Sequence, residues 1–400
     1  MQFFSVIQII VFLTGIYFIA KKHEMRKIIA LVMATSTGYF FFLMYGFPDF
    51  GAAVSADPVA HHLKEEIREL INLGGLLIGF ACLAHQFETS GISRLFASKI
   101  INRFDDKKAE SLILSMIWLL SGFCDNIASA LVGMGLMTII HGGFRLRLVL
   151  LVTIVANAGG AYSVVGDTTT TFLWIKGISQ VQLVPAFLPS FVCLLLTLVF
   201  GVWLRKVPHN HVTFPDEKID VEWWRFFAIL MCIVGAFLCN FKWGFPCLGI
   251  VPLILLTAFE WQWAPIKEGG SAASFLLPLI VAAGFINLGL VIPHDTLTSQ
   301  GMVISTAWIS AIIDNIPVTK VLFEANVGHW ALLAFCVGVG GSFTYFGSTT
   351  SVAVIEGYHK QVKEELEKDK IKNLFLYWIV RGWFMWPVVI FSILSGLLID

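Results

Sequence analysis

The chain reads as long apolar runs separated by short polar stretches. Phe3–Ala20, Ile28–Phe47 and Leu70–Phe87 are each long enough to cross a hydrocarbon layer about 30 Å thick as a helix rising about 1.5 Å per residue. The first has no basic segment before it and no small-residue cleavage site ahead of Lys21, Lys22, Arg26 and Lys27, so a retained helix is expected rather than a signal peptide. Pro48–Leu70 is polar and carries the cluster Lys64, Glu65, Glu66, Arg68 and Glu69. Arg94–Lys108 has the pattern of an amphipathic helix on the membrane surface. Further crossings are expected at Leu146–Gly177, Gln182–Leu204, Phe226–Asn240, Cys247–Glu260, Ser274–Ile292, Trp330–Ile355 and Phe375–Leu398, about ten in all.

Two passages interrupt this pattern from inside apolar surroundings: SGFCDNIASA (Ser121–Ala130) and NAGGAYSVVGDTTTTFLW (Asn157–Trp174). An aspartate near the bilayer midplane costs about 2.5–3.5 kcal/mol, and each glycine inside a helix about 1 kcal/mol against alanine. The first passage lies in Ser111–Thr138, which has Lys107 and Lys108 before it and Arg145 and Arg147 after it. A single crossing would put one basic cluster outside, against the positive-inside rule. A re-entrant hairpin over 111–138, with Asp125 and Asn126 at its tip, keeps both inside. The second passage breaks the crossing over 146–177 at the midplane.

Both passages recur in the same order. SAIIDNIPVT (Ser310–Thr319) repeats the first, with Asp314 on Asp125 and Asn315 on Asn126, an offset of 189 residues. GVGGSFTYFGSTTSV (Gly338–Val352) repeats the second, with Gly347 on Gly166, an offset of 181, and Ser348 in the place of Asp167. A second hairpin over 296–324 and a second broken helix over 330–355 follow. An odd number of crossings lies between the hairpins, so the duplication is inverted, an arrangement found in secondary transporters with midplane binding sites. The expected fold is an all-α polytopic membrane protein: repeats 1–204 and 223–400, a cytoplasmic linker 205–222, about ten transmembrane helices and two re-entrant hairpins. With the loops at 21–27, 94–108, 141–147, 205–218 and 359–372 cytoplasmic, both termini lie outside.

Composition agrees, since 57% of residues are hydrophobic and 14% charged, against about 45–50% and about 25% in soluble domains. Net charge is zero, which argues against a nucleic-acid partner. The seven cysteines show no metal-ligand spacing and read as small buried hydrophobes. No nucleophile–base pair and no HExxH occurs in the apolar segments, so an enzyme is not expected, nor a cofactor.

Broken helices bring unpaired backbone carbonyls and N–H groups to membrane depth, where carbonyls suit a small cation. Asn157 ends one half-helix, and Asp167, Thr168 and Thr169 begin the next. With Asp125 and Asn126 they supply the oxygen ligands that hard cations prefer. A sodium site at Asp125, Asn126 and Asp167 is the expectation, with Asp314, Asn315, Ser348 and Thr349 as counterparts in the second half. Asp167 also reads as a helix N-cap, which needs no ion. Lys320 and Glu324, four apart, read as an ion pair near the membrane surface. His61, His62, His209, His211 and Glu356 read as solvated.

These four passages resemble sodium/proton antiporters of the NhaD type, within the wider ion transporter superfamily that includes arsenite permeases, citrate carriers and dicarboxylate carriers. The resemblance implies exchange of Na+, or Li+, for H+ in a bacterial inner membrane. It also implies a homodimer held by a scaffold part and elevator-like movement of a transport part made of the hairpins and broken helices. Carboxylate-transporting relatives carry Ser-Asn-Thr at the hairpin tips. Here the tips read Cys124-Asp125-Asn126-Ile127 and Ile313-Asp314-Asn315-Ile316, which repel anions and attract Na+ or H+. The alternative on the same fold is an arsenite, other anion or sodium-coupled dicarboxylate permease.

Overall fold

The computed structural model describes residues 2–21, 25–47, 58–101, 103–204, 219–286, 290–291, 293, 296, 299–345, 347–368 and 374–398. Among these the chain is helical and contains no strand. The helices are α1 Gln2–Lys21, α2 Arg26–Tyr45, α3 Pro58–Thr89, α4 Ile92–Ile101, α5 Asp106–Cys124, α6 Asn126–Ile140, α7 Leu146–Gly160 and α8 Thr168–Ile175. After the short α9, Gln180–Leu183, come α10 Phe187–Leu196, α11 Trp223–Trp243, α12 Cys247–Phe259 and α13 Trp263–Gly284. The chain continues as α14 Gln300–Ser310, α15 Asn315–Glu324, α16 Trp330–Gly340, α17 Thr349–Gly357, α18 His359–Lys368, α19 Leu374–Arg381 and α20 Met385–Gly396. Six described helices are long and apolar enough to cross a membrane. Large apolar side chains such as Phe241 and Phe259 cover the outer surface. The chain is a polytopic membrane protein.

Two groups of helices pack among themselves. In one, α3 lies against α12 and α13, α13 against α2, and α11 against α12. In the other, α5, α6 and α7 pack together, α14 packs on α16, and α7 touches α16 and α17. The groups meet where α6 and α8 contact α3 and where α15 contacts α13. Helix α7 lies deepest, with every residue from Leu148 to Gly160 buried.

The backbone turns at Asp125, whose φ of 70° separates α5 from α6. The two helices pack on each other as a hairpin. Glycines let the broken helices approach the hairpins. A Cβ on Gly159 would fall 2.2 Å from the Trp118 carbonyl oxygen, and one on Gly340 2.2 Å from that of Ala307. Ala307 stands to Trp118 at the same 189-residue offset that relates Asp314 to Asp125. Ser121 Oγ donates to the Ala156 carbonyl and Ser310 Oγ, its counterpart, to that of Val337.

Several boundaries differ from the sequence pattern. Helix α3 begins at Pro58 and takes the Lys64–Glu69 cluster, with His61 and His62, into a helix of 32 residues. It does so because Glu66 and Glu69 are buried against cationic partners rather than solvated. Helix α13 starts at Trp263, eleven positions ahead of the expected Ser274. The expected final crossing Phe375–Leu398 is two helices, separated at Gly382, where a Cβ would fall 2.3 Å from the Trp378 carbonyl oxygen. The charged stretch after Tyr358 opens with α18. Lys22, Arg205, Lys206, His209, His211 and Lys218 lie outside the described residues, as do the side chains of Cys124 and Glu356.

Candidate functional site

The ends of four half-helices converge in the buried interior, and each end follows from the local sequence. Asp125 caps α6, its Oδ2 accepting from the Ile127 N–H at 3.0 Å. Asp314 caps α15 in the same way, Oδ1 accepting from the Ile316 N–H at 3.3 Å. Asp167 begins α8, where its own N–H donates to Thr170 Oγ1 at 3.1 Å. Ser348 begins α17, its Oγ accepting from the Thr350 N–H at 3.2 Å. A short side-chain acceptor is what a helix start requires. Three of these four carry a carboxylate where a neutral Ser or Asn would cap as well.

The residues between the caps form one hydrogen-bonded net. Asn126 Nδ2 donates to Asp167 Oδ1 at 2.6 Å and to Asn157 Oδ1 at 3.0 Å. Asn315 Nδ2 donates to Asp167 Oδ2 at 3.4 Å, and Thr168 Oγ1 to Asp167 Oδ1 at 3.2 Å. Asn157 Nδ2 donates to Ser348 Oγ at 3.1 Å and to Ser342 Oγ at 2.9 Å. Asp167 is therefore the hub: it receives an amide from each hairpin tip, and both its oxygens are used. Asp125, Asn157, Asp167, Thr169 and Ser348 are fully buried.

Asp125 and Asp314 sit beside this net rather than in it. Thr349 Oγ1 donates to Asp314 Oδ2 at 2.8 Å, whereas Thr168, the counterpart of Thr349, bonds its neighbour Asp167 instead. Asp314 and Thr349 also line a cavity of about 180 Å³ between the helix groups, together with Arg26, Phe275, Ile127 and Leu131. Asp125 and Asp314 each interact electrostatically with Asp167.

At the two hairpin tips three buried oxygens have no hydrogen-bond partner among the described residues: Asp125 Oδ1, Asn126 Oδ1 and Asn315 Oδ1. A buried acceptor left unpaired costs about 1–3 kcal/mol, so three such oxygens among three carboxylates make a place that a desolvated hard cation would stabilise. No group of three or more His, Cys, Asp or Glu suited to a metal ion occurs among the described residues. All ten candidate residues thus lie at or beside one centre.

Three features of the surroundings are barely marked by the sequence pattern. Ser342 joins the net through Asn157, and only its repeat-like position between Gly341 and Gly347 marks it. Lys320 is not paired with Glu324. It is fully buried, with Nζ 2.6 Å from Glu66 and 3.0 Å from Glu69 on α3, and Glu324 lies instead 3.9 Å from Lys176. The available signal was the spacing of Glu66 and Glu69, three apart on one helical face. His62, expected as solvated, stacks on Phe41 and lies 3.9 Å from Glu66.

Comparison with known proteins gives a consistent set of relatives. Sodium/proton antiporter 1 of Arabidopsis thaliana is 30% identical over 280 residues, which are 58% of this chain and 48% of that protein. The Na+/H+ antiporter NhaD of Vibrio cholerae is 25% identical over 304 residues, 61% of this chain and 62% of that protein. NhaD of Vibrio parahaemolyticus is 23% identical over 361 residues, 76% of this chain and 85% of that protein. The chain spans 48% and 66% of the lengths of the two plant relatives it matches. No protein-family model matches it. By these matches the chain is similar in sequence to sodium/proton antiporters, among them proteins named NhaD.

Proposed function

We propose that the chain is a secondary active transporter exchanging Na+, or Li+, for H+. The observation that carries this reading is the Asp167 hub, a buried carboxylate held by an amide from each hairpin tip and ringed by unpaired oxygens. Three interacting carboxylates in a water-poor interior cannot all stay charged alone. Each must hold a proton or share a cation. Proton and Na+ then compete for the same oxygens, and this competition is the coupling. The three carboxylates repel an anion, and the buried ammonium of Lys320 is engaged by Glu66 and Glu69.

In this reading α5–α6 and α14–α15 are re-entrant hairpins opening to opposite faces, α7–α8 and α16–α17 are broken crossings, and residues 1–204 and 223–400 are inverted repeats. The group around α3 and α13 is the scaffold of a homodimer, and the group around α7 and α16 moves past it. The cavity at Asp314 and Thr349 is then the access route from the cytoplasmic face of a bacterial inner membrane, with both termini outside. Relatives named as sodium/proton antiporters support the ions chosen. The test is uptake of radioactive sodium into proteoliposomes under an outward proton gradient. Uptake that collapses with a protonophore is expected; uptake indifferent to the gradient would refute exchange.

A further inference from the structure

Two of the half-helices that begin at the site, α8 at Asp167 and α15 at Asp314, each lead to a cation that meets Glu69. Lys320 Nζ lies 2.6 and 2.7 Å from the two Glu66 oxygens and 3.0 and 3.1 Å from those of Glu69. Lys176, immediately after α8, lies 2.9 Å from Glu69. Glu66 and Glu69 stand on α3, in the other helix group. The four charges are buried or nearly so, the most exposed being Lys176 at 18% of its side chain. Room for the Lys320 stem comes from Gly284 at the end of α13, where a Cβ would fall 2.5 Å from Lys320 Cε. The Phe172 ring lies within 6 Å of both ammonium groups.

Other buried ion clusters differ in one respect. Glu110, His141 and Arg147 meet at 3.6 Å, but all belong to α5, the end of α6 and α7, which pack as one group. Arg225 and Glu260 likewise join α11 to the end of α12. The Lys320 cluster bridges the two groups. It also lies opposite the cavity: Glu69 is twelve residues before Ala81, which lines the cavity, about 18 Å along α3. One face of the site therefore opens on a cavity while the other is closed by four charges. A buried ion pair is a poor source of stability, because desolvation cancels most of the attraction, so its place here calls for another role.

We infer that Glu66, Glu69, Lys176 and Lys320 form an ion-pair gate that positions the starts of α8 and α15 and closes the cation site to the face where those helices end. The inference rests on the transport reading, since a gate matters only if the site must open to both faces. Its ions exchange partners when the groups move past one another, whereas the Glu110 cluster travels intact.

The test pairs Lys320→Met with Glu66→Gln, which removes one charge of each sign and leaves no new net charge buried. Lys320→Met alone is measured beside it. A reporter cysteine replaces Thr319, which is fully buried next to Lys320, in a background lacking the other cysteines and checked for sodium exchange. With the gate weakened, an impermeant thiol reagent added at the face where α8 and α15 end should label the reporter at least about tenfold faster, the equivalent of about 1.4 kcal/mol of population shift. Maximal exchange rate should fall by about tenfold, while KM for Na+ stays within about threefold because the Asp167 net is untouched. Reversing the pair, Lys320→Glu with Glu66→Lys, should restore slow labelling. Labelling unchanged in the neutral double variant would overturn the gate, and so would a loss confined to KM. Absence of exchange in the parent background would count against the transport reading, and labelling would still decide whether the cluster closes that face.

Discussion

Replacing Asp167 with Asn probes the hub with almost no change in volume. Asp167 accepts from Asn126 Nδ2 at 2.6 Å, Thr168 Oγ1 at 3.2 Å and Asn315 Nδ2 at 3.4 Å. An amide has one oxygen for these three donors and turns an NH2 toward at least one of them, setting donor against donor. A lost bond to a charged acceptor costs about 1.5–3 kcal/mol, and about 1.4 kcal/mol is tenfold in affinity. Affinity for Na+ should therefore fall about 10- to 100-fold, and the proton that Asp167 would exchange is gone as well. Ser348→Ala, at the matching place in the second half, removes one neutral acceptor for Asn157 Nδ2, which is worth about 0.5–1.5 kcal/mol. The assay is sodium-driven recovery of a pH-sensitive dye in proteoliposomes, normalised to reconstituted protein. Equal exchange by the two variants would reduce Asp167 to a helix cap and refute the hub.

Other outcomes follow from the same geometry. Asp125→Asn keeps the shape at the first hairpin tip but cannot release a proton; exchange near the parent rate would make Asp125 structural. As pH falls, protons occupy the carboxylates that Na+ needs, so apparent KM for Na+ should rise on acidification; a KM flat with pH would contradict competition. Cysteines at Lys108 and Arg145, flanking the first hairpin, should react with an impermeant reagent from one face only, and labelling from opposite faces would make α5–α6 a full crossing. Gly166→Ala would set a Cβ 2.5 Å from the Gly160 carbonyl oxygen, an overpacking cost of about 1–3 kcal/mol. Its melting temperature in detergent should drop, while Gly270→Ala, inside α13 with nothing within 4 Å of the added Cβ, should hold or raise it.

The centre was legible in the sequence because it is built from local signals. Aspartates and glycines inside apolar runs are costly, and the two motifs that hold them recur in the same order, so Asp125, Asp167 and Asp314 stand out without any contact being known. The ion-pair cluster was not legible. Lys320 has a partner of opposite charge four residues away in Glu324, but its actual partner Glu66 is 254 residues distant. Only packing of α15 on α13, and of α13 on α3, brings that pair together. The same holds for the start of α3. A run holding Lys64, Glu65, Glu66, Arg68 and Glu69 reads as solvated until two of its carboxylates are seen to face buried ammonium groups. The break at Gly382 depends on a close backbone approach that hydropathy does not register.

The central claim is coupled exchange of Na+ for H+, and a sodium pulse tests it most directly. Proteoliposomes containing the protein are given a preset pH gradient, acid inside, and NaCl is added outside at constant ionic strength. Na+ should dissipate the gradient, choline, arsenite or a dicarboxylate supplied without sodium should not, and Asp167→Asn should abolish the response. A gradient that survives the sodium pulse, or one that arsenite or the dicarboxylate collapses equally well, would contradict coupled exchange.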